Sequence, residues 1–194
     1  MKEVYGTMAL DTKRLYTTKD IMTLPDGVRA ELINGQIYYM ATPALIHQEL
    51  LGELYYVFKH HQKENHGHCR VYTAPCAVFI NQDQYNYLEP DLYIICPKEE
   101  NETRLQKDGC HGAPDFVLEI VSPSSRQMDY IKKLAKYEET GVKEYWIVDP
   151  LTERIHVYRF MGEFTYAQYT FEDTVPVGIY GNLAVNFKEL DFQI

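Results

Sequence analysis

Alternating and periodic runs of apolar residues divide the chain into predicted strands and helices. Arg29–Ile33 and Gln36–Met40 are strand-like and are separated by Asn34-Gly35. Asn-Gly is typical of a two-residue hairpin turn, because both central residues of a type I′ turn need positive φ. The other strand-like runs, of which the last two form a second predicted hairpin, are Arg70–Asn81, Tyr87–Cys96, Asp115–Val121, Glu144–Val148, Arg154–Phe160 and Phe164–Phe171.

Two longer segments carry the 3.6-residue period of amphipathic helices. The first is Pro43–His61, and the second is Ser125–Thr140, with Ser124 as its candidate N-cap and Gly141 directly after its end. A shorter predicted helix, Thr17–Leu24, begins with a capping-box pattern. The apolar residues expected to face the core are Leu50, Leu51, Leu54, Val57 and Phe58 in the first helix, and Met128, Ile131, Leu134 and Ala135 in the second.

The order of these elements predicts the fold class and the domain plan. Residues 1–15 form a predicted N-terminal arm and residues 16–194 a single domain, since roughly 100–200 residues make one domain. Helices that alternate with groups of strands favour an α/β fold, in which a mixed sheet is flanked by helices. The charged and polar stretch Pro97–Gly112 is expected to be an exposed loop.

The composition is that of a folded globular protein. Of the 194 residues, 45% are hydrophobic and 24% are charged, which excludes disordered and fibrous chains. The formal net charge of −9 gives no support to a long nonspecific grip on nucleic acid, which needs clustered lysine and arginine. The 17 tyrosines favour many half-buried sheet or interface positions, because tyrosine joins an apolar ring to a polar tip.

No segment predicts a membrane span or a secretory signal. The longest apolar run, Ala74–Ile80, is much shorter than the roughly 18 residues of a membrane span. The first residues also lack the apolar core of a signal peptide, so a cytoplasmic location is predicted. In that reducing compartment free thiols are favoured over disulfides. The four cysteines are Cys69, Cys76, Cys96 and Cys110, and none forms a C-x-x-C pair.

Glu119 is an unusual polar residue in a predicted core strand. It shares one face of that strand with Val117 and Val121, and the opposite face is apolar as well. A carboxylate in such a strand is costly unless it is protonated or meets a cation, a donor cluster or a metal. Taken alone, Glu119 fits a functional site and a buried salt bridge about equally well.

Other charged residues each have an ordinary structural explanation when taken alone. Asp91 follows a proline at a strand start and fits a turn residue. Glu31 lies beside Arg29 on one face of the first hairpin, which fits a surface ion pair. Asp129 and Lys133 have the i, i+4 spacing of a solvated ion pair on a helix.

Histidines offer two further candidates. His47 lies at the start of the first long helix, where a capping or core role is the commoner one, although its ring could point at the hairpin. A histidine-rich group near the end of the same helix invites a zinc site, but its spacing fits no standard finger and a polar helix end explains it as well. The members of this group are His60, His61, His66, His68 and Cys69.

Two blocks of the sequence resemble a known bacterial family. They are LEIVSPSS at residues 118–125 and GVKEYWIVDP at residues 141–150, and the similarity extends from about Thr17 to Leu190. The family is that of putative restriction endonucleases, formerly a domain of unknown function, within the PD-(D/E)XK nuclease superfamily. Other matching positions are Pro25-Asp-Gly, Glu31-Leu-Ile-Asn-Gly, Pro43 with His47, Pro90-Asp91-Leu, Asp129, Lys133 and Tyr137.

The resemblance implies a restriction-endonuclease-like fold and a metal-dependent DNA endonuclease, a hydrolase of phosphodiester bonds. Asp91 would be the aspartate of the Pro-Asp half-motif, Glu119 the second acid, and Glu31 a further acid from the first hairpin. These carboxylates would bind Mg²⁺ or Mn²⁺, which polarises the phosphate and lowers the pKa of the attacking water. The second Pro-Asp pair, at Asp115, is too close to Glu119 to supply the separate strand. Many nucleases of this superfamily dimerise, so a homodimer is also expected.

One position departs from the superfamily motif. The lysine expected two residues after the second acid is replaced by Val121. In some members that lysine has moved to a neighbouring helix, and Lys133 is the candidate for this role, with Lys132 a weaker one. A lysine near the scissile phosphate would orient the water or stabilise the developing charge.

Two alternatives to a nuclease stay open. One is a non-catalytic binding or regulatory module that keeps the fold, which is favoured by Val121 and by the negative net charge. The other is a structural dimer module whose exposed tyrosines form the interface. Metal affinity distinguishes the nuclease from both alternatives. Neither the DNA sequence recognised nor a role for the histidine-rich group follows from these residues.

Overall fold

The computed structural model describes residues 13–65, 67–81, 83–97 and 103–192. Residues 1–12 of the predicted arm and His66 of the histidine-rich group lie outside this description. The helices are α1 (Thr18–Met22), α2 (Leu45–Glu64) and α3 (Leu134–Thr140); a π-helix, Met128–Lys133, precedes α3, and a 3₁₀ turn, Phe187–Glu189, lies near the end. The strands are β1 (Ala30–Ile33), β2 (Gln36–Tyr39), β3 (Arg70–Thr73), β4 (Val78–Phe79), β5 (Leu92–Ile95), β6 (Leu105–Gln106), β7 (Gly109–His111), β8 (Phe116–Ile120), β9 (Glu144–Asp149), β10 (Arg154–Arg159), β11 (Thr165–Thr170), β12 (Thr174–Pro176) and β13 (Ala184–Asn186).

A six-stranded sheet organises the described part of the chain, in the order β11-β10-β9-β8-β5-β3. Strands β8 and β9 run parallel, and the other neighbours in this sheet run antiparallel. The π-helix and α3 lie between β8 and β9 and form the crossover that a parallel pair requires. The predicted α/β fold with a mixed sheet and flanking helices is confirmed.

The first predicted hairpin is confirmed in the pairing of β1 with β2. Asn34 and Gly35 have φ values of 51° and 74°, as a type I′ turn requires. The second predicted hairpin is present as β10 and β11. The first hairpin matters for the site because its strand β1 carries Glu31.

Apolar side chains bury both faces of the central sheet. On one face, Leu50, Leu54 and Phe58 of α2 pack in a cluster with Phe116 and Trp146. All residues of β8 are buried, so the prediction of an interior strand is confirmed. The opposite face is covered by a second cluster that includes Tyr93, Val117, Tyr137, Tyr145 and Ile147.

Three predicted segments in the middle of the chain are wrong in their bounds. Arg70–Asn81 is not one strand: β3 ends at Thr73, and Pro75, which has no N–H for a strand ladder, separates it from β4. Only the last part of Tyr87–Cys96 belongs to the central sheet, as β5. The expected loop Pro97–Gly112 contains β6 and β7, which form a small sheet with β4, while its residues 98–102 lie outside the description.

The predicted helix Ser125–Thr140 buries a different face from the one expected. Hydrogen bonds in its π-helical part run from i to i+5, so α-helical spacing assigns the inward positions wrongly. Ile131, predicted to face the core, is 60% exposed, whereas Asp129 and Lys133 are buried. Met128 and Leu134 of the expected stripe are half-buried against the second core cluster, but Asp129 and Lys133 also turn inward, and Lys133 contacts Glu119 of β8.

For this helical segment, the prediction at its C-terminal end is confirmed and the prediction at its N-terminal end is not. The structure records no side-chain cap at the start of the π-helix, and the Ser124 hydroxyl lies 3.1 Å from the Ser122 hydroxyl instead. At the other end, Gly141 adopts the left-handed conformation with φ of 91°, as predicted for a helix C-terminus.

The preference for free thiols is wrong for one pair of cysteines. Cys69 and Cys96 form a disulfide with their Cα atoms 4.0 Å apart. Cys69 directly precedes β3 and Cys96 directly follows β5, and the register that places Arg70 opposite Ile95 brings the two together. This pairing depends on strand register, which the spacing of cysteines along the chain does not contain. None of the described helices is both long and apolar enough to cross a membrane.

Candidate functional site

Asp91 and Glu119 meet at one end of the central sheet. The antiparallel register that pairs Leu92 with Leu118 continues by one residue, so that Asp91 lies opposite Glu119. The backbone nitrogen of Asp91 lies 3.4 Å from Oε2 of Glu119, and the amide of Ile120 donates to Oδ2 of Asp91 at 2.7 Å. Two carboxylates from neighbouring strands therefore adjoin, as the sequence predicted.

Lys133 is the cation at the centre of the site. Its Nζ lies 2.9 Å from Oε1 of Glu119, 3.0 Å from Oε1 of Glu31 and 3.7 Å from Oδ1 of Asp129. The side chain is only 5% exposed. The interpretation of Asp129 and Lys133 as a solvated helix pair is therefore wrong, because the π-helix turns both residues inward.

Glu31 is not the surface ion-pair partner of Arg29 that its position in the hairpin suggested. Arg29 pairs with Glu89 at 2.6 Å, whereas Glu31 is buried and accepts a hydrogen bond from the Glu89 amide at 3.0 Å. The interpretation of Glu31 as the surface partner of Arg29 is wrong, because β1 is covered along its whole length. Glu31 instead shares Lys133 with Glu119.

His47 and Lys132 contact different groups around the site. The Nε2 atom of His47, in the first turn of α2, lies 3.0 Å from Oδ2 of Asp91, so the ring contacts the residue before β5 of the central sheet, whereas the sequence suggested the first hairpin as its target. Lys132 is exposed and donates to the Tyr38 hydroxyl at 2.5 Å, with its Nζ 4.1 Å from the ring centroid. Of the two candidate lysines, Lys133 contacts Glu119 and Lys132 contacts Tyr38.

Two buried tyrosines support the site, and sequence reasoning gave neither a role. The Tyr137 hydroxyl donates to Oε1 of Glu119 at 2.8 Å, the same oxygen that Lys133 contacts. The Tyr145 hydroxyl donates to the backbone carbonyl of Asp129 at 3.1 Å and so ties the π-helix to β9. The i, i+4 spacing of Lys133 and Tyr137 was the available sign of a shared target.

Burial and neighbouring charges shift the protonation of these groups. Burial, together with the negative charges of neighbouring acids, raises the pKa of Glu119 well above its ordinary value, against the effect of Lys133. Burial likewise raises the pKa of Asp129 to about 6. For Lys133, burial favours the neutral form, but the surrounding carboxylates outweigh it and raise the pKa well above its usual range. The site therefore keeps one cation, Lys133, beside two acids whose pKa is raised, Glu119 and Asp129.

A cavity of about 810 Å³ opens onto these groups. One wall is formed by residues 39–44, which lead from β2 into α2, and another by residues 122–125, which follow β8. The described polar groups that line it include Glu31, His47, Asp91, Glu119, Asp129 and Lys133. A substrate that enters the cavity therefore meets the acids and the lysine together.

The donors fit a hard divalent cation better than zinc. In the described part of the chain, no group of three or more His, Cys, Asp or Glu side chains is arranged to hold a metal ion. Oε1 of Glu119 is engaged by Lys133 and Tyr137, which leaves Oε2 beside Asp91. Mg²⁺ binds through one or two carboxylates and keeps several waters, so this pair suits Mg²⁺ or Mn²⁺. A structural zinc site needs four protein ligands.

The histidine-rich group near the end of α2 makes other contacts. Nδ1 of His61 lies 3.1 Å from Nδ2 of Asn65, and the His61 ring packs against Tyr180 with centroids 4.8 Å apart. His60 stacks on Tyr56, and Cys69 belongs to the disulfide. These contacts fit the interpretation of a polar helix end.

Comparisons with known proteins agree with this architecture. The model of the Uma2 family, described as “Putative restriction endonuclease”, matches residues 17–182. The chain is also similar to the crystal structure of a putative nuclease belonging to DUF820 from Anabaena variabilis ATCC 29413, with a TM-score of 0.69 and 23% sequence identity. That match covers 90% of this chain and 96% of the other, and it confirms the predicted nuclease-like fold. No curated protein matches the chain.

Proposed function

We propose, from the premise that the chain belongs to the Uma2 family, that it is a metal-dependent endonuclease that hydrolyses phosphodiester bonds of DNA. One contact carries the proposal: Nζ of Lys133 lies 2.9 Å from Oε1 of Glu119, although Val121 occupies the position of the strand lysine. A lysine from the following helical segment thus lies beside Glu119 where β8 offers none, which supports a catalytic role for Lys133. This contact counts against one argument for a non-catalytic module, the valine at position 121, while the negative net charge still favours that module.

Each residue of the site has a role in this proposal. Asp91 and Glu119 would hold Mg²⁺ or Mn²⁺, which when bound polarises the phosphate and lowers the pKa of the attacking water. Lys133 would orient that water and stabilise the negative charge that develops on the phosphate. His47 holds Asp91 in place through Oδ2, and Tyr137 does the same for Glu119 through Oε1.

Plasmid cleavage together with metal titration tests this function. Supercoiled DNA incubated with the protein and Mg²⁺ or Mn²⁺ at low salt should be nicked, because weak electrostatic encounters are strongest at low salt. Asp91→Asn and Glu119→Gln should lose cleavage. Glu172→Gln is a matched control, since Glu172 is an exposed carboxylate paired with Lys188 away from the cavity. Calorimetry should show Mn²⁺ binding that Asp91→Ala and Glu119→Ala abolish.

The same measurements separate the alternatives. Metal affinity would favour the nuclease over both alternatives. DNA binding by the wild type with neither metal affinity nor cleavage would favour the non-catalytic binding module, and absence of metal binding and of DNA binding would favour the structural dimer module.

A homodimer and a cytoplasmic location complete the proposal. Tyrosines such as Tyr56 and Tyr166 are exposed among the described residues and suit a protein interface, where tyrosine is enriched. Sedimentation should give about twice the chain mass of 22.7 kDa. A monomer at working concentration would reject the dimer and leave the nuclease proposal intact.

A further inference from the structure

The acids of the site are largely buried in the lining of the cavity, and this constrains the substrate. The side chain of Asp91 is 14% exposed, and Glu119 is 3% exposed. A metal ion held by these carboxylates would be within about 2.1 Å of their oxygens. The scissile phosphate must therefore leave the protein surface and enter the cavity, which the backbone of a rigid duplex does less readily than a flexible strand.

The walls of the cavity offer little to a DNA duplex. Its volume of about 810 Å³ lies in the range of small-ligand sites, which is about 300–1,000 Å³. Residues 39–44 and 122–125, which both line the cavity, contain no charged side chain. A duplex carries a negative charge about every 1.7 Å along its axis and is usually gripped by several lysines and arginines. Such a row of cations is missing from both walls.

The cations near the cavity differ in whether they already pair with a carboxylate. Arg29 is paired with Glu89, and Lys133 is enclosed by carboxylates. The ammonium of Lys132 is exposed and rests on Tyr38, a cavity residue that lies opposite Glu31 in the hairpin register. An aromatic ring beside an exposed cation is the combination that binds single-stranded nucleic acid, where bases stack and the backbone follows positive charge.

We propose that the cavity takes an unpaired DNA strand rather than an intact duplex, with Lys132 on a phosphate next to the scissile one and the Tyr38 ring against a base. This inference rests on the proposed nuclease function and specifies its substrate. Lys132 must leave the ring face when the strand enters, and the phosphate then replaces the Tyr38 hydroxyl as its partner. A strand held by so few phosphates binds with weak salt dependence.

Fluorescence anisotropy with two labelled probes tests the substrate class. The probes are a short oligothymidylate and a blunt duplex of the same length, in buffer with Ca²⁺, which binds carboxylates but is not the metal proposed for cleavage. The single strand should bind at least about tenfold more tightly than the duplex. Each phosphate contact on a single strand adds about −0.7 to the slope of log K against log salt, so one or two such contacts predict a slope between about −0.7 and −1.4. Equal or tighter duplex binding, or no binding of the single strand, overturns the proposal.

Variants with matched controls test the two residues named. Lys132→Met should weaken single-strand binding and flatten the salt slope by about 0.7, whereas Lys63→Met, at an exposed lysine near the end of α2, should change neither. Tyr38→Ala should weaken binding by about tenfold, because stacking of one base is worth about 1–3 kcal/mol and 1.4 kcal/mol corresponds to tenfold. Tyr38→Phe should keep the stacking, and Tyr56→Ala is the control for an exposed tyrosine.

Binding and cleavage together separate this inference from the proposed function. Single-strand binding with the expected variants but no cleavage supports the inference about the cavity and rejects the nuclease. Cleavage with no preference for unpaired strands supports the nuclease and overturns the inference. If Lys132→Met behaves like Lys63→Met, the role given to Lys132 is wrong.

Discussion

Two buried acids lie near opposite ends of β8, and they differ in the ratio of cations to carboxylates around them. Asp115, just before β8, pairs with Lys143 and with Arg104 at 3.1 Å, and it accepts a hydrogen bond from the Cys96 amide at 2.7 Å. Glu119, near the other end of β8, shares the single ammonium of Lys133 with two further carboxylates. One acid meets two cations, while at the other end three acids meet one cation.

This contrast shows what distinguishes a structural acid from a candidate metal ligand. Burial alone does not, because both carboxylates are almost fully buried. Nor does the Pro-Asp pair, because it precedes β5 and β8 alike. The difference lies in the surplus of negative charge around Glu119, which a divalent cation would neutralise and which the neighbourhood of Asp115 lacks.

The largest expected effect comes from removing the shared cation. Lys133→Met should lower the free energy of unfolding by about 3–5 kcal/mol at pH 7, because it leaves buried carboxylates without a partner. The loss should shrink as the pH falls, because burial raises the pKa of Glu119 and of Asp129 and these two acids therefore bind protons more tightly in the folded state. Mn²⁺ should raise the melting temperature of this variant more than that of the wild type. Urea unfolding at two pH values checks this, and a loss below about 0.5 kcal/mol would mean an ordinary helix pair.

A substitution at Asp115, at the opposite end of β8, should lower stability in a way that Mn²⁺ does not change. Asp115→Ala should lower the free energy of unfolding by about 3 kcal/mol, towards the lower limit for a broken buried pair, because Arg104 and Lys143 are partly exposed and can be hydrated. Mn²⁺ should not restore this loss, and cleavage should persist at temperatures where the variant is folded. A melting temperature of Asp115→Ala that rises with Mn²⁺ as much as that of Lys133→Met would contradict the proposal that only the Glu119 end of β8 binds metal.

A smaller effect should follow from removing one hydroxyl beside Glu119. Tyr137→Phe should lower the free energy of unfolding by about 1.5–3 kcal/mol, the range for a hydrogen bond to a charged group, and should weaken Mn²⁺ binding because Glu119 is less firmly held. Tyr145→Phe is the control, since its hydroxyl bonds to a backbone carbonyl. Calorimetry with Mn²⁺ on both variants decides, and equal affinities would mean that Tyr137 acts only through stability.

The smallest expected effect is a change in how the stability of the fold depends on pH. The pKa of Asp129 is raised to about 6, so its contribution to stability is present below its ordinary value of 3.8 and is lost as the pH rises through about 6. Asp129→Asn should remove that loss. Asp20→Asn should act in the opposite sense, because hydrogen bonds from Thr17 lower the pKa of Asp20, whose contribution disappears as the pH falls. Melting curves of both variants and the wild type, recorded from below pH 3.8 up to pH 7, test the two signs.

The sequence predicted local structure well where short-range rules decide it. The Asn34-Gly35 turn needs only positive φ at two residues, and β8 needs only a run of apolar positions. Two of the site's groups, Asp91 and Glu119, could be placed on neighbouring strands, and Lys133 could be named as the replacement lysine. The resemblance to a known family supplied these roles.

Features that depend on register could not be predicted from spacing along the chain. The disulfide joins cysteines separated by 27 residues, and only the pairing of β3 with β5 brings them together. Tyr137 was visible as a tyrosine one helical turn beyond Lys133, but its target depends on how the helix sits on the sheet. The burial of Glu31 likewise requires knowing what covers β1, which no local rule contains.

Because of the π-helix, the geometry of the site depends on the number of residues between β8 and α3. Its wider turn accommodates an additional residue between the end of β8 and α3. Deleting the exposed Ile131 would let a regular α-helix form and would rotate Lys133 and Tyr137 by about 100° relative to Asp129. Among relatives that share these residue types, the number of residues in this segment would then decide whether the lysine reaches the acid, so an alignment gap here would matter as much as a substitution.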